Sequence, residues 1–471
     1  MADSTETNHE PQPSLSLWDA ISIIVGIVVG VSVFKVPFLV FQNVASPLAG
    51  LGVWLAAGAL MLIGALCYAE LATRFRRGGE YVFLSRAFGR RAGFLYGWAQ
   101  LTGVFSGSIG LMAYVFADYA QQTFALEKSN GVVLAIVAVA GLTALHVLGV
   151  RASKSVQNVL TVTKVAGLLA ILVVGLLAPS EDSLTTSRPL ADANLGLAFI
   201  LVLYAYGGWN DAAFVAAEVK HPDRNIPRAL VGGMLAIMVL YVLLNLAYFR
   251  GLGLDGVRGS FTPAMDLMTS STLLSTGQRA WAQKLIGFVV MASALGAVHG
   301  LLFTGSRLYA AMGADHPLFA SLGRWHPKLK SPVWALLAQA LMTSVLITVV
   351  GTEQGRNAID VCVTRLGRDP IPWAKYQGGF DTLLSATAPV FWAFFLLNGV
   401  ALFLFRLRPP AEQPTFRVPG YPVLPIVFCL TCSYMLWQSL IYAGDLTLLA
   451  LIPLVIGLPL NEWSNGLRMK S

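Results

Sequence analysis

Two short stretches stand out for the chemistry they make possible. One is Gly26-Ile27-Val28-Val29-Gly30-Val31-Ser32; the other is Tyr204-Ala205-Tyr206-Gly207-Gly208-Trp209-Asn210. Each places glycine inside a long apolar run, where a helix is expected to break. A break at mid-membrane frees backbone groups that must be satisfied. Free N–H groups at the start of a half-helix attract a carboxylate, and free carbonyls attract an ammonium. A zwitterion satisfies both. Glycine that merely lets helices pack closely is the plain alternative for either stretch alone. Their equivalent positions, at the start of two successive sets of five helices, favour a binding site.

A third feature is Lys164. It lies about ten residues into an apolar helix, where a charged side chain costs about 2.5–3.5 kcal/mol on insertion scales. Such a residue is expected to face the bundle interior, as a coupling group or as a structural tether. Lys35, in the outer half of the first helix, reads as a snorkelling side chain or as a vestibule charge that disfavours cationic substrates. His299 is a candidate proton-responsive residue or a hydrogen-bonded packing histidine. Ser293, in the same helix, is placed near the lysine.

The elements that must position these residues are membrane helices. Of 471 residues, 56% are apolar and only 12% charged. A soluble domain carries about 25% charged residues. A spanning helix takes about 20 apolar residues, and twelve stretches qualify: 17–42, 48–73, 92–120, 131–149, 155–178, 194–219, 229–250, 283–311, 332–351, 380–405, 421–441 and 444–461. The expected class is therefore an all-α polytopic membrane protein. Residues 1–16 read as a disordered cytoplasmic tail without a cleavable signal, and 462–471 as a second cytoplasmic tail.

Most of the 32 basic residues fall in loops on one face, among them Arg74, Arg76, Arg77, Arg86, Lys220, Arg224, Arg228 and Arg406. That bias puts both termini in the cytoplasm. It also explains the net charge of +8 without a nucleic-acid partner. The long external loops are 251–282 and 352–379. Cys67, Cys362, Cys429 and Cys432 imply no disulfide framework. There is no phosphate-binding loop and no H-E-x-x-H, so neither an enzyme nor a metal or cofactor is expected.

Several stretches carry a resemblance: GIVVGVSVFKVP, GALCYAELATRFRRGGEYVFLSRAFG, QNVLTVTK, LYAYGGWNDAAFVAAEVKHPDRNIPRAL, GAVHGLLFTGSRLYAAM and FRVPGYPVLP. Together they resemble the amino acid–polyamine–organocation transporter superfamily, in its L-type amino acid transporter branch and bacterial relatives. The resemblance runs over about residues 15–460 and implies a LeuT-like fold. Residues 17–178 and 194–405 would be five-plus-five inverted repeats, and 421–461 two additional helices.

It further implies substrate contacts at Ile27, Gly30, Val31, Ser32, Tyr204, Ala205 and Gly207, with Tyr204 and Trp209 as gates. Lys164, Ser293 and His299 would be coupling residues. The lysine ammonium would stand where sodium binds in sodium-coupled relatives, so transport would not need sodium. Gly30-Val31-Ser32 departs from the usual Gly-Ser-Gly or Gly-Thr-Gly. The Ser32 side chain either restricts approach to the amides or adds a hydrogen bond. The loop Gln121–Gly131 has no cysteine, so no disulfide-linked glycoprotein partner is expected.

The expected function is secondary active transport of amino acids by alternating access at the inner or plasma membrane, coupled to protons or to exchange. A polyamine or organic-amine carrier is the alternative within transport. A non-transporting amino acid sensor is the alternative of another class.

Overall fold

The computed structural model describes residues 13–127, 130–179, 184, 193–260, 262–270, 275–376 and 378–468. Within them the chain is almost wholly helical. Among the described residues, nine stretches are long and apolar enough to cross a membrane, and two shorter apolar helices, Leu17–Val28 and Gly131–Val147, accompany them.

The first apolar run divides where its glycines predict. Helix α1 covers Leu17–Val28 and α2 covers Ser32–Phe41. A capping box starts α1, with Ser16 and Asp19 satisfying each other's backbone donors. The sixth run divides likewise. Helix α9, Leu195–Ala205, gives way at Tyr206–Gly208 to a 3₁₀ segment, Trp209–Glu218. Gly208 sits at φ 103°, a left-handed conformation that glycine adopts without steric cost. A Cβ there would also lie 2.7 Å from Ile27 Cγ2, so the two breaks press against each other.

The other elements are α3 (Pro47–Arg74), α4 (Gly79–Phe88), α5 (Arg90–Ala99), α6 (Phe105–Phe124), α7 (Gly131–Val147) and α8 (Val150–Leu177). They continue with α10 (Pro222–Gly259), α11 (Pro263–Ser270), α12 (Thr276–Asp315), α13 (Val333–Gly351), α14 (Glu353–Arg365), α15 (Gly378–Leu407), α16 (Val423–Ala443) and α17 (Leu448–Arg468). Helix α10 packs on α3, α8 and α1, and α12 packs on α6, α8 and α1. The broken helices thus lie inside the bundle. On α8 and α13, Val159, Val162, Leu169, Val173, Leu341 and Val345 are exposed, an apolar surface that lipid can cover.

Three expectations change. The helix predicted over 92–120 is two α-helices joined by a π-helical turn, Gln100–Val104. The stretch 251–282 is not an open loop, because α10 runs to Gly259 and α11 follows. The stretch 352–379 contains α14, started by Thr352, whose Oγ1 accepts from Gly355 N at 3.1 Å. Asp360 on α14 then accepts from Ile371 N at 3.0 Å and from Trp373 Nε1 at 2.9 Å. Ile359, Val363, Ile371 and Tyr376 form a small core over Ala386 and Leu446. Hydropathy alone hid both helices, because their apolar residues are few and spaced to one face.

Residues at both ends of the predicted bundle are also tied in. Ser14 N and Leu15 N donate to Glu218 O at 2.8 Å, and Lys220 N donates to Leu15 O at 2.8 Å. Leu15 is buried, as is Ser464 in the continuation of α17. Residues 1–12 of the predicted tail lie outside the described residues, as do 469–471.

Candidate functional site

Helix α8 shows how one polar stripe is aimed inward. Gln157, Thr161, Lys164, Leu168 and Ile171 are all buried, and their spacing of four and three residues keeps them on one face. Most of the other described residues of α8 are exposed or half-buried. Three of the stripe residues meet α1. Gln157 crowds Gly26, where a Cβ would lie 1.9 Å from Nε2. Thr161 Oγ1 donates to Ser22 O at 3.3 Å. The Lys164 ammonium donates to Gly26 O at 2.8 Å, and Lys164 is fully buried.

The other carbonyls at this break are also occupied. Ser293 Oγ lies 3.0 Å from Val29 O and 3.1 Å from Gly30 O. The Tyr241 hydroxyl lies 2.9 Å from Val28 O and 3.4 Å from Ala205 O, so one side chain of α10 touches both broken helices. The N-terminus of α2 differs: Val31 precedes it and no side chain caps its amides. The first amides of a helix have no intrahelical acceptor.

Both breaks open on one cavity. Ile27, Val28 and Ser32 line it from the first run; Tyr204, Ala205, Gly207, Gly208, Asn210 and Asp211 line it from the sixth. Gln100, Ser108 and Met112 contribute from the third run, Thr387, Phe391 and Trp392 from α15. Among the residues singled out from sequence, Ile27, Ser32, Tyr204, Ala205 and Gly207 share this cavity. Gly30 and Val31 lie in the break beside it. Trp209 is fully buried behind the wall, edge-on to Tyr68 with ring centroids 5.0 Å apart. The Lys35 side chain lies outside the described residues.

His299 stands apart from the cavity. Its Nδ1 lies 2.8 Å from Gln157 Oε1, its ring stacks on His146 at 4.1 Å, and His146 Nε2 lies 3.0 Å from His299 O.

Three residues lining the cavity, Gln100, Asn210 and Asp211, were not singled out from sequence, nor was Tyr241, which bridges the two breaks. Gln100 sits in the π-helical turn, a feature frequent at functional sites. Tyr241 lacks any local signature. Asn210 and Asp211 follow the double glycine directly, and Asn210 Nδ2 donates to Asp211 Oδ1 and to Glu80 Oε1, both at 3.1 Å. Glu80, on α4, also accepts from the Tyr68 and Tyr96 hydroxyls. Burial pushes the Glu80 carboxyl above its usual range, against those three donors.

The family profile described as amino acid permease matches residues 15–458. The chain belongs to the amino acid permease family. It is 28% identical over 444 residues to the b(0,+)-type amino acid transporter 1 of Mus musculus, covering 91% of this chain and 83% of that one. To the serine/threonine exchanger SteT of Bacillus subtilis (strain 168) it is 25% identical over 431 residues, covering 91% of each. To the large neutral amino acids transporter small subunit 2 of Rattus norvegicus it is 29% identical over 414 residues, covering 81% of this chain and 75% of that one. These relatives are transporters and exchangers, not enzymes. The family and the apolar helices make this permease an integral membrane protein.

Proposed function

We propose that this permease is a secondary active transporter that moves an amino acid by alternating access without sodium, by exchange or with protons. One observation carries the reading: the breaks of the first and sixth helical runs open on the same cavity. An amino acid carboxylate fits the uncapped amides at the start of α2. Its ammonium fits the carbonyls at the end of α9. Tyr204 closes the site from one side, with Trp209 behind it.

Lys164 supports independence from sodium. Its ammonium already supplies a positive charge to the Gly26 carbonyl, and Ser293 occupies the Val29 and Gly30 carbonyls. His299 and Gln157, next to that group, are the candidates for transmitting protonation to α1. The loop charge bias puts both termini and α4 inside the cell. The twelve predicted spans then form two inverted repeats of five and a final pair.

The test is counterflow in proteoliposomes preloaded with amino acids, with and without sodium and a pH gradient. Uptake of a labelled amino acid that ignores sodium supports the reading. Strict dependence on sodium, or no movement of any amino acid, overturns it.

A further inference from the structure

We infer that Asp211, together with Asn210 and Gln100, forms a cation-recognising subsite in the cavity, so that the transported amino acid carries a second ammonium on its side chain. This deepens, and rests on, the amino acid transport reading above.

The inference starts from charge. Asp211 is 5% exposed and lines the cavity. Among the described residues lining that cavity, it is the charged one. No basic side chain of the described residues forms an ion pair with it; it accepts from the neutral Asn210 amide. A carboxylate removed from water is costly unless a positive charge or several donors meet it. Glu80 solves this with three donors. Asp211 has one.

Asn210 fixes the geometry. Its Nδ2 serves two carboxylates, so the amide cannot turn over without setting its oxygen against both. Its Oδ1 is consequently held without a donor. Gln100 Oε1 is likewise buried without a donor. Both residues line the same cavity and are 3% and 4% exposed. One carboxylate and two unmet amide oxygens are acceptors only, and a primary ammonium brings three donors and one charge.

A neutral amino acid is a zwitterion. With its carboxylate at the α2 amides and its α-ammonium at the α9 carbonyls, it leaves Asp211 unmet. A diamino acid such as lysine or ornithine supplies the missing charge from its side chain.

The test compares lysine with norleucine, which is lysine without the side-chain nitrogen. Uptake of each is measured in proteoliposomes of the wild type and of Asp211→Asn, with Asp211→Glu as the charge-conserving control. The wild type is expected to prefer lysine by about tenfold or more, the scale of a hydrogen-bonded charge. Asp211→Asn should lose that preference, and Asp211→Glu should keep part of it. If the asparagine variant does not fold, quenching of tryptophan fluorescence in the wild type reads the same preference through Trp392.

Equal uptake of norleucine and lysine by the wild type overturns the inference and leaves amino acid transport standing. A lysine preference unchanged in Asp211→Asn also overturns it. Uptake of putrescine with no uptake of any amino acid supports the subsite and overturns the amino acid reading.

Discussion

The Lys164 ammonium and the Gly26 carbonyl meet at 2.8 Å, wholly out of contact with solvent. This bond ties the middle of α8 to α1 just before its break. A charge so deep is tolerable because the carbonyls of an ending helix are negative. Lys164→Met keeps the length of the side chain and removes the charge. The variant should insert and fold, yet transport at least tenfold more slowly, because α1 loses its anchor. Counterflow rates normalised to reconstituted protein check this. Full activity would make the bond a passive contact.

Gly208 tests the packing of one break on the other. Gly208→Ala meets both a left-handed backbone, which costs roughly 1–2 kcal/mol, and Ile27 Cγ2 at 2.7 Å. Transport should be lost with a modest fall in thermal stability. Gly232→Ala, where a Cβ meets nothing within 4 Å, serves as the control and should change neither.

The pair of Glu70 and Arg406 joins α3 to the end of α15. Arg406 Nε and Nη2 donate to the two Glu70 oxygens at 2.7 and 2.6 Å, and Val418 N adds a third donor at 2.8 Å. Glu70 is fully buried and the Arg406 side chain is 20% exposed. Removing one partner of a buried pair costs about 3–5 kcal/mol, and the partial exposure favours the lower end. Arg406→Met should lower the unfolding temperature, and the double variant Glu70→Gln, Arg406→Met should recover part of the loss.

His316 makes stability depend on pH. It lies just beyond α12, buried, with neither ring nitrogen partnered and its ring 4.9 Å from that of Phe94. Burial, aided by Arg90, pushes it down to about 4 from 6.5. The folded state thus favours the neutral ring. Its contribution is complete above about pH 6.5 and is lost as pH falls toward 4. The loss is at most about 3 kcal/mol, less whatever solvent screens at the edge of the bundle. Thermal unfolding from pH 7.5 to 4.5 should show a smaller acid drop for His316→Phe than for the wild type.

Arg307 and Glu218 join α12 to the end of the 3₁₀ segment. Arg307 Nε donates to Glu218 Oε1 at 2.7 Å, both side chains buried, while the Glu218 carbonyl holds Ser14 and Leu15. A cysteine at Leu15 should resist thiol reagents in the otherwise wild-type protein. Adding Arg307→Ala should make it react several-fold faster.

Both helix breaks were legible in the sequence, because glycines recur at equivalent points of two apolar runs, which outweighs the packing reading open to either alone. Lys164 was legible because one charge in a long apolar stretch must have a partner. Asp211 was overlooked beside its glycines, although an acidic residue in a spanning run deserves the same suspicion as a lysine. Gln100 was not legible, since a π-helical turn depends on tertiary packing and leaves no periodic trace. Helices α11 and α14 were missed because their few apolar residues fall below any membrane threshold. Tyr241 became meaningful only when the fold set its hydroxyl between Val28 and Ala205.

The π-helical turn at Gln100–Val104 has a consequence for how the cavity wall is encoded. One extra residue per turn advances the chain by about 100° relative to a regular α-helix. Ser108 and Met112, which line the cavity, come after that offset. Deleting a single residue from the turn would rotate the remaining helix and present a different set of side chains, with every other residue unchanged. Along this wall, chain length decides what the substrate meets as much as residue identity does, so an insertion or deletion here can respecify the pocket in one step.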